Sequence, residues 1–146
     1  MKKIKNKFAE KGFYNCFACS PDNPKGLKME FWRDGEDVVS YFYPGWYYDG
    51  WDGIMHGGII STLMDEVGAW IIMDAINIDG VTARMNIQFK KPVKTKVDRP
   101  GEEEKLEIRG RIAYKKHKLV RIKTELRNKS GQLCSEADID YIIQSV

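Results

Sequence analysis

The stretch from Gly57 to Ala75 constrains this chain more than any other. Ile59, Leu63, Val67 and Ile71 recur every four residues, with Ile60, Met64 and Ala75 beside them. At about 100° per residue these side chains form one wide apolar stripe, which predicts a helix of about five turns. The opposite face carries Ser61, Thr62, Asp65 and Ala69. Those residues are small, and a helix with a broad stripe and a small second face is covered on most sides.

On either side of this segment the period drops to two. Leu27, Met29 and Phe31 alternate with Lys28 and Glu30, Asp34-Gly35 makes a turn, and Asp37–Tyr43 supplies a hairpin partner that Pro44-Gly45 ends. After Asp79-Gly80, Val81, Ala83, Met85, Ile87 and Phe89 alternate with polar residues as far as Pro92. A charged loop over 93–105 leads to a meander of Leu106–Tyr114, Leu119–Arg127 and Leu133–Ile143. Residues 1–13, with Ile4 and Phe8 four apart, predict a short helix, and CFACSPDNPKG reads as a loop. One helix cannot cover both faces of a parallel sheet, and tight turns imply antiparallel pairing. The expectation is a single α+β domain over 1–146, with residues 1–26 as an N-terminal extension and loop.

Bulk properties narrow the function. A formal net charge of +3 is too mild for nucleic acid or a membrane surface to be the main partner. No run reaches the ~18 apolar residues of a transmembrane helix. The basic start MKKIKNKFAEKGF lacks the apolar core of a secretory signal. Three cysteines, Cys16, Cys19 and Cys134, argue against a disulfide framework. The expectation is a soluble, cytoplasmic protein.

The segment HGGIISTLMDEVGAW, with Asp65 nine residues after His56, resembles the signature of hot-dog-fold acyl-CoA thioesterases of the phenylacetic-acid-pathway type. GVTARMNIQFKKPV and CFACSPDNPKGLKMEF are similar to further stretches of that family. The resemblance implies an antiparallel sheet of about six strands wrapped around one long helix. It also implies hydrolysis of an acyl-CoA to a free acid and CoA. The acid would come from the neighbouring subunit of a homodimer or homotetramer. No metal or redox cofactor is implied, and coenzyme A enters only as part of the substrate.

The residues support that chemistry on their own terms. A helix N-terminus offers unpaired N–H groups and a partial positive charge. Gly57 and Gly58 let a substrate carbonyl approach those groups. Gly57 is the first choice of oxyanion donor, and Gly58 lines the same turn. Asp65, on the small face, suits a general base or a nucleophile, and the sequence leaves both open. By resemblance, His56 shapes the oxyanion site and Thr82 places a hydroxyl beside the attacking water. Lys90 and Lys91 lie near where relatives bind the nucleotide, though lysines also guard sheet edges.

One position departs from the family. Gly50 stands where relatives often carry Asn or Gln, and the neighbouring Asp49 is the candidate substitute. That departure favours the alternative of a non-catalytic acyl-CoA-binding or ligand-sensing hot-dog protein. The spacing of a hydratase is absent.

Other features have plainer readings. Glu66 lies about 100° from Asp65, towards the edge of the apolar stripe. His117 sits in a basic turn. Cys16-x-x-Cys19 lacks enough partners for a zinc site and reads as buried thiols among aromatics. The aromatic run Trp46–Trp51 suits either an acyl pocket or a core cover.

Overall fold

The computed structural model describes residues 1–12, 14–95 and 98–144. Seven antiparallel strands form one sheet: β1 (Lys2–Lys3), β2 (Trp32–Asp34), β3 (Asp37–Phe42), β4 (Gly80–Phe89), β5 (Leu106–Lys116), β6 (Leu119–Arg127) and β7 (Leu133–Ile143). Their spatial order is β1-β2-β3-β5-β6-β7-β4. The one α-helix among the described residues, α1 (Gly57–Ile76), packs across β3 to β7 on one face. This is the α+β arrangement expected from the two periods.

The helix buries Ile60, Leu63, Met64, Val67, Trp70, Ile71 and Ile72. They meet Val38, Ile108, Ile122, Leu126 and Ile139 from the sheet, all fully buried. Burial of this kind contributes roughly 25 cal/mol per Å² of apolar surface, which is what holds helix to sheet. Two members of the expected stripe lie off it: Ile59 is half-buried and Ala75 is exposed. The helix ends at Asn77, whose left-handed backbone (φ 59°) lets its N–H donate to Met73 O.

Two local expectations fail. Residues 1–12 contain no α-helix; they give β1 and a 3-10 turn over Ala9–Lys11. Ile4 N–H donates to Phe31 O, so the sheet edge claims the segment. Asn6 Oδ1 then accepts from the amides of Phe8 and Ala9 and turns the chain. Phe13 lies outside the described residues. The alternating stretch Leu27–Phe31 is not a ladder strand either, because the Leu27 and Met29 amides donate to Phe17 O and Ala18 O. Lys28 takes φ 53°, which breaks the extended run, and the strand begins only at Trp32. The three buried side chains still fill the core as their spacing implied. With β1 added, the sheet has seven strands instead of about six.

β4 and β1 are the two edges. β4 is the long one and pairs only with β7. Nearly all of it is exposed, Val81 and Phe89 by 58% and 56%.

Candidate active site

His56 caps α1. Its Nδ1 accepts the Gly58 N–H at 2.8 Å, and its own N–H donates to Tyr48 O. An accepting Nδ1 means that the ring proton sits on Nε2. The cap has a consequence for the glycine turn. Gly58 spends its amide on the imidazole, whereas the Gly57 N–H meets no acceptor among the described residues. The helix therefore presents one unclaimed donor at its positive end. Gly58 is the tightly placed one of the two. A Cβ on Gly58 would lie 2.9 Å from His56 Nδ1, and one on Gly57 would touch the Phe89 ring at 3.4 Å.

Beside this turn lies an open recess of about 450 Å³, lined by Gly50, Trp51, Met55, His56 and Gly57. Trp51 is 84% exposed, so within one chain it covers no core. Gly50 stands against His56, since a Cβ there would lie 3.4 Å from the imidazole Cδ2. The Asp49 carboxylate is occupied elsewhere. It accepts from Gly53 N–H at 3.0 Å and from the Thr95 hydroxyl, tying the loop to the segment after Val93. A larger cavity of about 540 Å³, at Ile4, Asn6, Cys19, Phe31 and Trp70, contains none of the expected site residues.

Asp65 lies two turns into α1 and is half-buried. Its Oδ1 accepts from the Thr82 hydroxyl at 2.8 Å and, at 2.9 Å, shares the Tyr141 hydroxyl proton with the Asp65 backbone carbonyl, which lies 2.7 Å from the phenol oxygen. Its Oδ2 meets no donor among the described residues and is left for water or substrate. Thr82 belongs to β4 and Tyr141 to β7, and these two residues are register partners. A β-bulge follows Thr82 in that ladder, the kind of feature that re-aims a side chain.

A family model described as the thioesterase superfamily matches residues 52–135, more than half of the chain. The chain belongs to the thioesterase superfamily. A curated relative from Saccharolobus solfataricus, carrying a provisional esterase name, is 29% identical over 87 residues. That match covers 58% of this chain and 52% of the relative, so it spans about half of the relative's length. A hypothetical thioesterase from Streptococcus pneumoniae, solved with coenzyme A, superposes with a TM-score of 0.69 at 20% identity. It covers 80% of this chain and 86% of that one. Zebrafish thioesterase superfamily member 2 gives 0.70 at 23% identity, covering 84% and 89%. At these identities the structural likeness is one of fold.

Within this superfamily fold, the residue that sequence reasoning missed is Tyr141. It is fully buried, and burial with the Asp65 charge beside it pushes the phenol well above its ordinary range. It therefore stays a proton donor to the carboxylate. The tyrosine reaches across the helix because position 68 is glycine: a Cβ there would lie 2.1 Å from the Tyr141 oxygen. Alternation in β7 does place Tyr141 on the inner face, and a buried phenol needs a partner. That was the available signal.

The other expected residues make no hydrogen bond or ion pair with Asp65 and gather at the other end of β4. Lys90 Nζ pairs with Glu136 at 3.3 Å, and Lys91 is exposed. Both amides donate to Cys134 O just beyond Phe89, at the end of β4 that meets the Gly57 turn. Among the described residues, no helix is long and apolar enough to cross a membrane.

Proposed function

We propose that this chain hydrolyses acyl-CoA thioesters at a site completed by a second copy of itself. The observation that carries the reading is the half-exposed Asp65 carboxylate, anchored at Oδ1 by two hydroxyls and open at Oδ2. It lies on the same helix that offers the free Gly57 amide. These two groups cannot serve one carbonyl from one chain: eight residues at ~1.5 Å rise separate them by about 12 Å along the axis. A two-fold partner brings one helix's start to the other helix's middle. The open β4 edge, ten residues long and unpaired on one side, supplies a surface for such pairing.

In that arrangement the Gly57 N–H polarises the thioester carbonyl. Water adds to the carbonyl carbon, and its proton passes to Asp65 Oδ2, unless the carboxylate itself attacks first. Thr82 donates to Oδ1 and keeps lone pairs that accept from the water. The oxyanion is held by Gly57 N–H until the C–S bond breaks and CoA leaves as the thiol. One such donor contributes ~3–4 kcal/mol. Lys90 and Lys91, following Phe89, stand where CoA phosphates would pass. The pneumococcal thioesterase solved with coenzyme A supports that substrate class. Structures of the same protein with an aspartate and with a threonine replaced by alanine feature the two residue types that meet here.

Gly57→Pro removes the donor, and Gly57→Ala, which keeps the N–H, controls for the added bulk. Proline fits the first helical position, and His56 already holds the extended backbone (φ −63°, ψ 130°) that precedes proline. Turnover should fall ~10²–10³-fold with the fold kept. Mixing that chain with Asp65→Asn chains should restore activity towards a quarter of wild type, because each mixed dimer regains one intact site. No recovery from verified mixed dimers would sink the composite site.

The second reading is an acyl-CoA-binding protein without turnover. Gly50 and the occupied Asp49 favour it, since no amide side chain stands over the recess. Tight acyl-CoA binding by the wild-type chain with no thiol release would establish it.

A further inference from the structure

The residue after Asp65 belongs to a different cluster. Glu66 faces Cys16 and Cys19, whose thiols are free, and one donor atom from each of the three lies within 4.8 Å of the others. The sequence reading set a metal aside because Cys16-x-x-Cys19 lacked partners. It did not anticipate that the 16–19 turn folds onto the helix at Glu66.

We propose that Cys16, Cys19 and Glu66 bind a thiophilic divalent cation of the zinc class, with one coordination position left open. Four arguments support the site. First, the spacing fits: two ligands on a tetrahedral zinc, at ~2.0–2.3 Å from the metal, are ~3.5–3.8 Å apart. The Cys16 thiol reaches Glu66 Oε1 at 3.7 Å, a separation that co-ligands of one ion would also have. Second, the supporting contacts are in place. Cys19 N–H donates to Cys16 Sγ at 3.4 Å, the Tyr14 hydroxyl contacts Cys19 Sγ, and Trp70 Nε1 donates to Glu66 Oε1 at 3.1 Å. Such outer contacts orient ligands and are a regular part of metal sites.

Third, the charge is unbalanced. No Lys or Arg among the described residues pairs with Glu66, and its neighbours are thiols, an indole and the Asp65 carboxylate. A half-buried carboxylate beside a second carboxylate favours a positive partner. Fourth, a cavity of about 260 Å³ opens at Cys16, Glu66 and Tyr14, with room for a fourth, exchangeable ligand such as water. Binding would release the two thiol protons to solvent and form two metal–sulfur bonds and one metal–oxygen bond. The ion would then staple the N-terminal loop to α1, one residue from Asp65.

The test uses the full chain, reduced and stripped with chelator, titrated with Co²⁺ and then Zn²⁺. One equivalent of cobalt should bind with a thiolate charge-transfer band in the near ultraviolet, and zinc should displace it. Cys16→Ser and Glu66→Gln, which preserve shape at half-exposed positions, should each weaken binding at least ~10-fold. Cys134→Ser and Asp65→Asn should retain it. Binding that survives in both Cys16→Ser and Glu66→Gln overturns the site, as does failure of the reduced chain to take up metal. A Cys16–Cys19 disulfide that re-forms in air and leaves no metal-competent state after reduction assigns the pair to redox chemistry instead. Retention in Asp65→Asn keeps this result separate from the thioesterase reading.

Discussion

Asp65 and Glu66 are neighbours on one helix, yet they occupy different chemical worlds. Asp65 is half-exposed and held by two hydroxyls on a single oxygen. Glu66 sits among two thiols and an indole, and burial pushes its carboxyl up to about 7. A turn of about 100° separates a carboxylate with one oxygen open from one set among two thiols and an indole. The lesson is that an acidic residue's task is set by the elements that reach it: β4 and β7 for Asp65, the 16–19 turn for Glu66.

The contrast can be tested in order of expected effect. Asp65→Asn should cut kcat on acyl-CoA substrates ~10²–10⁴-fold while leaving metal uptake intact, and Glu66→Gln should remove metal uptake. If Asp65→Asn turns over normally, Asp65 has no part in the chemistry and the contrast collapses. Gly68→Ala should destabilise the fold by about 1–3 kcal/mol, read as a lower urea midpoint, because its methyl meets the Tyr141 phenol. An unchanged midpoint would mean that Tyr141 moves freely.

Tyr141→Phe keeps the ring and removes the proton donor to Asp65. Turnover should fall ~10-fold, about 1.4 kcal/mol in the barrier, with KM nearly unchanged. A purely packing role would leave kcat intact. The smallest effect belongs to a third carboxylate. Burial alone would raise the Asp37 pKa, but hydrogen bonds and charge from Arg109 and Arg111 outweigh it and hold the group low. Its contribution is therefore full above the ordinary aspartate value of 3.8 and fades as acid takes the pH through the lower folded value. With both arginines partly solvated, Asp37→Asn should cost about 1 kcal/mol or less at pH 7, and the difference should vanish in strong acid.

Much of this was readable from periodicity. The change from a period near four to a period of two at Gly80 located α1 and β4, and the clean alternation after Leu106 located β5 to β7. What failed was local. The Leu27–Phe31 pattern reports burial, but its amides had a competitor in the 16–19 loop that no window of sequence reveals. In the candidate site, His56, Gly57 and Asp65 were singled out by the resemblance of their segment to a family signature. Tyr141 and the Glu66–cysteine cluster were not, because each is assembled from segments far apart in the chain.

The bare position at 68 ties the helix to the sheet in inheritance as well as in space. Even the ring carbons of residue 141 would lie within 2.8–3.0 Å of a methyl at 68, so trimming the phenol to phenylalanine would not make room. A descendant that acquires a larger residue at 68 bears that strain until 141 shrinks below an aromatic, and would give up a proton donor to Asp65 in doing so. The two sites are thus one decision written twice, and a lineage can revise it only by rebuilding how its acid is held.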